Sequence, residues 1–259
     1  MSDTTSPLAK RLDDEDDEFW PADRGGPSRR TVLIGAAVAV VAVVAVVVFV
    51  VLRSGGGDDA QGAPAGDHPV PTTYVPTNAD PGTNKLNLRS ADQRPLTEGE
   101  VFGDVKTVGY HTFTFNLAGS AISSDCRAGS WGPRLQTDLR RYGCTQLARA
   151  AYLSSDKQYV GQFFALNLES AEGAQQIVRD LDTQTGAGFL NPLPAPGVQG
   201  FGGGFSAAYA EPMGHYVVMS WVQRKGGVRP ASLNQMIDAS LAIGKAGNFT
   251  WERLVLVDG

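Results

Sequence analysis

The sequence predicts an α+β fold in which an antiparallel sheet carries helices packed on one face, preceded by one transmembrane helix. Two observations predict this class. From residue 97 onward, apolar residues recur with strand and helix periods in the order hairpin, helix, hairpin, helix, which is typical of α+β layer folds. Before that region, residues 31–52 form a continuous uncharged apolar run. The first pattern defines the folded domain, and the second separates it from an N-terminal tail.

The run from Thr31 to Leu52 is twenty-two residues long. At helical rise it spans about 33 Å, which is enough to cross a hydrocarbon core of ~30 Å. Arg29 and Arg30 precede the run directly, whereas only Arg53 follows it closely. This bias predicts that residues 1–30 stay in the cytoplasm and that the C-terminal domain lies outside the cell. We therefore expect a single-pass signal-anchor protein of the cell membrane.

A cleaved export signal is the alternative explanation of the same segment. Ser28–Leu33 resembles the twin-arginine export motif, and Ala63-Pro64-Ala65 could serve as a cleavage site. Cleavage there would leave a mature chain that starts near Gly66. The apolar run is, however, longer than the core of a signal peptide, and the candidate site lies more than ten residues beyond its end. These two features favour the uncleaved anchor.

Two polar segments flank the apolar run. Residues 1–30 contain an acidic run that ends in Phe19 and Trp20, and their composition predicts a disordered tail. The alternative is a docking peptide, in which Phe19 and Trp20 anchor a cytoplasmic partner and the carboxylates steer it. Residues 53–96 are rich in Gly, Pro, Ala and Asp and lack a regular period, which predicts a linker that holds the domain 97–259 off the membrane.

The domain begins with a short helix and a strand. Thr97 and Glu100 form a capping box for a helix that runs through Phe102. Thr107–Leu117 has the composition of a strand, and its neighbours suggest ordinary packing for His111.

A second helix ends at Tyr142, with Gly143 as its C-cap, and begins either at Ser130 or at Gly132-Pro133. A hairpin follows, with strands over Thr145–Leu153 and Tyr159–Leu168.

Ser170 then caps the most regular helix of the chain, in which apolar residues recur at helical spacing: Ala174, Ile177, Val178 and Leu181. A loop over residues 186–205 leads to two further strands, Ser206–Ala210 and His215–Gln223. Ser232 caps a last helix, and Phe249–Val257 is predicted to add an edge strand.

Cys126 and Cys144 are the two cysteines of the chain. An even pair in an exported domain predicts one disulfide. The predicted helix between them is about 18 Å long. The extended residues before that helix can run back along it, so the bridge would join both of its ends. A redox-active pair is the alternative, but the C-x-x-C spacing of such pairs is missing.

Three residues are candidates for lining a pocket or lid. His215 starts a strand that is apolar on both faces, and it would lie at the mouth of that strand. Phe201 and Phe205 belong to the glycine-rich loop 186–205, which either covers a ligand or partner or packs on itself as a closed loop. The glycine run does not predict a phosphate loop, because a strand follows it where a helix N-terminus would be needed.

Composition limits the function classes. The net charge of −5 argues against nucleic acid as a partner. The histidines lack neighbours at metal-ligand spacing, and no motif indicates a cofactor or a catalytic group. We therefore expect a non-enzymatic, membrane-anchored binding or sensor-like domain for an envelope ligand or protein. The alternatives are an envelope hydrolase or transferase with an unrecognised site, and a scaffold that recruits a cytoplasmic partner through the acidic tail.

The layout and several short strings resemble a group of single-pass membrane proteins predicted in actinobacterial genomes. The strings are Gly143-Cys144-Thr145-Gln146, preceded by Cys126, the turn at residues 152–156, and Gly214-His215-Tyr216. The resemblance implies an envelope location and brings no activity with it. A fainter similarity links the domain to the extracytoplasmic sensor domains of actinobacterial receptor kinases, although the cytoplasmic kinase is missing from this chain.

Overall fold

The computed structural model describes residues 68–257, which form a seven-stranded sheet, a two-stranded ribbon and five α-helices. The strands are β1 (Thr73–Pro76), β2 (Thr107–Tyr110), β3 (Phe113–Ser123), β4 (Ser130–Trp131), β5 (Gln146–Ser154), β6 (Tyr159–Asn167), β7 (Phe189–Leu190), β8 (Ser206–Met213) and β9 (Tyr216–Arg224). The helices are α1 (Glu98–Phe102), α2 (Pro133–Arg141), α3 (Ala171–Asp180), α4 (Leu233–Gly244) and α5 (Phe249–Val257).

The strand order of the large sheet is β1-β8-β9-β6-β5-β3-β2. Every neighbouring pair is antiparallel except β1 and β8, which are parallel. Strands β4 and β7 form the separate antiparallel ribbon. The predicted α+β class is therefore confirmed, and the sheet is mostly rather than wholly antiparallel.

The sheet buries both of its faces. On β6, Phe163 belongs to one apolar cluster and the adjacent Phe164 to the other. The Phe163 side, called face A, is covered by α1, α4 and α5. The Phe164 side, called face B, is covered by α2, α3 and residues 186–205, called the roof segment. Successive side chains of a strand point to opposite faces, so a strand buried along its whole length takes part in two cores.

The prediction that the helices pack on one face is therefore wrong. Both α2 and α3 have buried apolar stripes, which include Leu135, Leu139, Ile177 and Val178, and these stripes lie in the face B cluster. Strand β9 also presents apolar side chains to each side, since Val217 packs on face B and Val222 on face A. A sheet whose central strands are apolar on both faces needs cover on both faces.

The C-terminal edge strand is also wrong, because Phe249–Val257 is helix α5. Phe249, Thr250 and Arg253 are buried, while Val255 and Leu256 are exposed. Burial at positions i, i+1 and i+4 follows the period of a helix and not the alternation of a strand. A short apolar run cannot be assigned from its periodicity alone, which explains the error.

The predicted strand Thr107–Leu117 is a hairpin instead of one strand. It divides into β2 and β3, which pair through Tyr110 and Phe113 around a tight turn. His111 occupies that turn with a φ of 48°. Its exposed ring lies 3.3 Å from Asp238, so the histidine predicted to pack within a strand is a surface residue.

The folded region begins earlier than residue 97, the predicted domain boundary. Thr73–Pro76 pairs with β8 as an edge strand, and Pro81–Leu86 forms a 3₁₀-helix. Leu86 is fully buried. The predicted linker includes residues 73–96 because their apolar residues are too sparse to show a period, yet they bury specific side chains in the domain.

The predicted disulfide between Cys126 and Cys144 is present, with 6.3 Å between the two Cα atoms. Helix α2 lies between the cysteines, as expected. Gly143 has a φ of 61°, which is the left-handed conformation of a C-cap, and the Cys144 amide donates to the Leu139 carbonyl at 2.8 Å. The bridge therefore ties the segment before α2 to the residue that follows its C-cap.

Within residues 68–257, no helix is long and apolar enough to cross a membrane. The predicted span Thr31–Leu52 and the tail residues Phe19 and Trp20 lie outside the described residues. Those predictions therefore stay predictions.

Candidate functional site

The structure does not bring His215 together with Phe201 and Phe205. His215 directly precedes β9, whereas Phe205 directly precedes β8. Strands β8 and β9 are antiparallel, and Ser206 pairs with Gln223 at the end of β9 that is far from His215. A separation of seven residues along a strand corresponds to roughly 24 Å. The three residues cannot line one pocket.

His215 is a buried turn residue. The turn between β8 and β9 consists of Gly214 and His215, so it is shorter than the predicted turn over residues 211–214. Gly214 has a φ of 61°, and a Cβ there would lie 2.5 Å from the Leu86 carbonyl oxygen. The His215 Nδ1 atom lies 2.7 Å from the same oxygen, so Nδ1 carries the proton and donates it. The Nε2 atom has no hydrogen-bond partner in the described region.

Burial lowers the pKa of His215 to about 4. The imidazole is therefore neutral in the folded domain at physiological pH, whereas an unfolded histidine has a pKa near its ordinary value of 6.5. A neutral, enclosed ring that contacts the Leu86 carbonyl and the Tyr216 ring serves the packing of the turn.

This shift predicts a pH dependence of stability. Between pH 6.5 and pH 4 the unfolded chain binds a proton that folded His215 does not, so stability falls as the pH falls through this window. The full loss is about 3 kcal/mol. Unfolding free energies measured by denaturant titration between pH 7 and pH 4.5 should show a shallower slope for His215→Gln than for the wild type. The exposed His111→Gln serves as the control, and equal slopes for the wild type and His215→Gln would contradict the assignment.

Phe201 and Phe205 lie on opposite faces of the sheet, although only three residues separate them. The Phe201 ring meets Trp221 edge-on, with 4.8 Å between ring centroids, in the cluster of face B. Phe205 packs against the cluster of face A, where the Arg229 guanidinium lies over its ring. The chain therefore crosses from one face to the other between these residues.

Two glutamines hold the roof segment against face B. The Gln162 side chain accepts a hydrogen bond from the Leu193 amide at 2.8 Å and donates to the Leu193 carbonyl at 3.0 Å. Gln223 accepts from the Gly202 amide at 2.5 Å and donates to the Gly203 carbonyl at 2.9 Å. The side-chain amide of each glutamine thus bonds to one backbone N–H and one backbone carbonyl of the roof segment, as the backbone of a neighbouring strand would. In this structure the roof segment therefore lies against the sheet.

Four buried hydrogen-bond donors next to the roof segment have no partner within residues 68–257. Each adjoins the roof segment differently. Trp131 pairs with Phe189, and Arg149 donates through Nη1 to the Asn191 carbonyl. The Trp221 ring packs against the rings of Phe189 and Phe201. Ser206 directly follows the roof segment in the chain. The unpartnered atoms are Trp131 Nε1, Arg149 Nε, Ser206 Oγ and Trp221 Nε1. An unsatisfied buried donor costs about 1–3 kcal/mol, so a concentration of four marks this layer as the candidate site.

A second polar cluster, on face A, is satisfied internally. Arg253 is fully buried, and its guanidinium donates to Glu100 at 2.6 and 2.7 Å and to Asp92 at 3.0 Å. It also donates to the Tyr216 hydroxyl and to the carbonyls of Arg94 and Pro95. Burial opposes ionisation of Asp92, but Arg253 and the Tyr216 hydroxyl outweigh it and hold the pKa of Asp92 below its usual value. This network joins α5, β9, α1 and the segment before α1.

Two carboxyl groups have raised pKa values. Burial, assisted by the charge of Asp80, raises the pKa of Glu211 to about 7. Burial and the neighbouring Asp138 raise the pKa of Asp180, whose Oδ1 accepts hydrogen bonds from Arg134 and Gln176. Glu211 lies on β8, where its backbone is paired with Val218 of β9. It could exchange a proton near neutral pH, but the charged group that acts on it is a second acid.

Sequence reasoning missed most of these side chains. The sequence patterns predict Trp221 and Ser206 only as strand residues, and Glu100 only as part of a cap. One signal was available, because Arg253 is the single basic residue of the apolar stretch 249–257, and a charge in such a stretch needs a partner when buried. In the part of the chain that the structure describes, no three His, Cys, Asp or Glu side chains are placed to hold a metal ion.

The chain matches no protein-family model, no curated protein and no solved structure.

Proposed function

We propose that the chain is a membrane-anchored, extracytoplasmic binding domain without a catalytic role. The observation that carries the proposal is the disulfide between Cys126 and Cys144. Disulfides persist in oxidising compartments outside the cytoplasm. The apolar run Thr31–Leu52, with its N-terminal arginines, accounts for both export and anchoring of such a domain.

The distribution of buried polar groups supports binding over catalysis. The charged groups around Arg253 are used in hydrogen bonds to one another and to backbone carbonyls, so they stabilise the fold. The donors beneath the roof segment, in contrast, have no partner among the described residues. Unpartnered donors beside a layer of apolar side chains are what a small-molecule binding site provides.

Labelling of engineered cysteines tests the anchored topology. We expect that Asp58→Cys reacts with a membrane-impermeant maleimide in intact cells and that Leu8→Cys reacts only after lysis. The native cysteines form the disulfide and do not contribute a background signal. The reverse pattern would contradict the proposed orientation. A mature chain that starts near Gly66 would show instead that the N-terminal segment is a cleaved twin-arginine signal.

A further inference from the structure

We propose that face B of strands β8 and β9, beneath Phe201, is a binding site for a small aromatic molecule that carries a hydrogen-bond-accepting oxygen. In the structure the Phe201 ring fills this site. The proposal rests on the proposed function only in taking the domain to be a binding module, and it adds the place and the ligand class.

Aromatic side chains surround the site, and the small side chains of two alanines form its base. Trp221 is fully buried, and the rings of Phe189 and Phe201 meet it edge-on at centroid distances of 5.1 and 4.8 Å. Ala208, the cross-strand partner of Trp221, and Ala210 lie on the same face. Edge-to-face contact is the geometry that a further aromatic ring would adopt in the place of Phe201.

The polar groups of the site are two donors. Trp221 pairs with Ala208, and Gln223 pairs with Ser206, so Trp221 and Ser206 are diagonal neighbours on one face. Such neighbours lie about 7–8 Å apart at their backbones, a span that a ring bearing a carbonyl group can bridge. The Trp221 Nε1 and Ser206 Oγ atoms are both buried without a partner in the described region. A ligand oxygen that accepts from either donor removes the cost of leaving it unsatisfied.

Phe201 is held less firmly than the rest of the site. It is half-buried, whereas Phe189 is fully buried. Gly200 and Gly202 flank it with φ values of 70° and 88°, and a Cβ at Gly200 would meet no atom within 4 Å. Movement of residues 200–204 would break the two bonds to Gln223 and the bond from the Thr72 hydroxyl to the Gly204 carbonyl. The two hydrogen bonds between Gln162 and Leu193 would stay intact. Phe201 can therefore leave while the remainder of the roof segment stays in place.

Fluorine NMR of the full chain labelled with 5-fluorotryptophan tests the proposal, with the chain in lipid nanodiscs. The chain has four tryptophans, and Trp221→Phe identifies the Trp221 signal. The probes are acetophenone and ethylbenzene, which have similar size and differ in the acceptor oxygen. We expect acetophenone to shift the Trp221 signal and to bind about tenfold more tightly than ethylbenzene. Ser206→Ala should reduce this preference.

Phe201 and Phe205 provide a matched pair of variants in the same loop. Phe201→Ala should tighten acetophenone binding about tenfold or more, because the ligand no longer competes with the Phe201 ring for the site. Phe205→Ala, on face A, should leave binding unchanged. Phe201→Leu is the conservative second variant, and an unchanged Trp251 signal reports that the fold is retained.

Three results would overturn the proposal. Equal binding of the two probes would show that the donors do not select an acceptor and that the Trp221 N–H is satisfied by the neighbouring ring faces. Weaker acetophenone binding to both Phe201 variants would show that Phe201 is part of the core and not a replaceable occupant. If neither probe shifts the Trp221 signal, there is no binding site for these molecules next to Trp221. These readouts do not depend on topology, so they separate failure of the site from failure of the membrane anchor.

Discussion

Arg253→Met is expected to lower the free energy of unfolding by about 3–5 kcal/mol, the range found when one partner of a buried ion pair is removed. Arg253 and Asp92 both have side chains that are 1 % exposed. Without the guanidinium, the Asp92 carboxylate stays buried next to Tyr216, and Glu100 loses a two-point hydrogen bond. The carbonyls of Arg94 and Pro95 also lose their donor. Chemical denaturation at neutral pH measures the loss.

Two comparisons show whether the loss comes from the uncompensated charges. Arg94 also contacts Asp92, at 3.2 Å, but its side chain is 48 % exposed. Arg94→Met should therefore cost only about 0–1 kcal/mol. The triple variant Arg253→Met/Asp92→Asn/Glu100→Gln should recover about half of the loss, because no buried charge remains unpaired. Equal effects of Arg253→Met and Arg94→Met would show that the network contributes no more than a surface ion pair.

The disulfide carries the second large effect. Cys144→Ser should destabilise the domain by about 2–5 kcal/mol, since an unfolded chain without the bridge gains the freedom of the closed loop. The cysteines are 18 residues apart, and α2 lies within that loop. We expect the loss as a lower unfolding midpoint, with the central hairpin β5–β6 still protected from hydrogen exchange.

The double variant Cys126→Ser/Cys144→Ser is the control for the thiol that the single variant leaves at position 126. Its unfolding midpoint should equal that of the single variant. It should also equal that of the wild type when the wild type is measured under reducing conditions. Thiol titration of the unreduced, unfolded wild type should detect no free thiol in the chain. Two titratable thiols would contradict the disulfide and would weaken the argument for an oxidising compartment.

Local patterns predicted the local elements. Thr97 and Ser170 are N-caps whose hydroxyls accept from the amides of Glu100 and Gly173, each at 3.3 Å. The β5–β6 hairpin and the C-cap at Gly143 also formed where turn chemistry indicated. Each of these features depends on hydrogen bonds or backbone conformations of residues that lie close along the chain. Such features can be predicted because few alternative partners compete for the same groups.

Local patterns did not predict several features that packing between distant segments decides. Phe249–Val257 is apolar enough for a strand, but it forms helix α5. The helical spacing places Phe249 and Arg253 together against face A. His111 lies in a turn that no glycine, proline or asparagine marks. Residues 73–76 join the sheet because the edge of β8 offers unpaired backbone groups to them. Periodicity within a short segment contains no information about these distant surfaces.

The sequence by itself therefore determined the class of the fold, most helices and strands, their caps, and the pairing of Cys126 with Cys144. Tertiary structure alone decided that both sheet faces are covered, that Arg253 meets Glu100, and that Trp221 and Ser206 become diagonal neighbours on one face. The physical reason is separation along the chain. The Arg253–Glu100 bond joins residues 153 positions apart, and its two partners become neighbours only after the intervening strands have assembled.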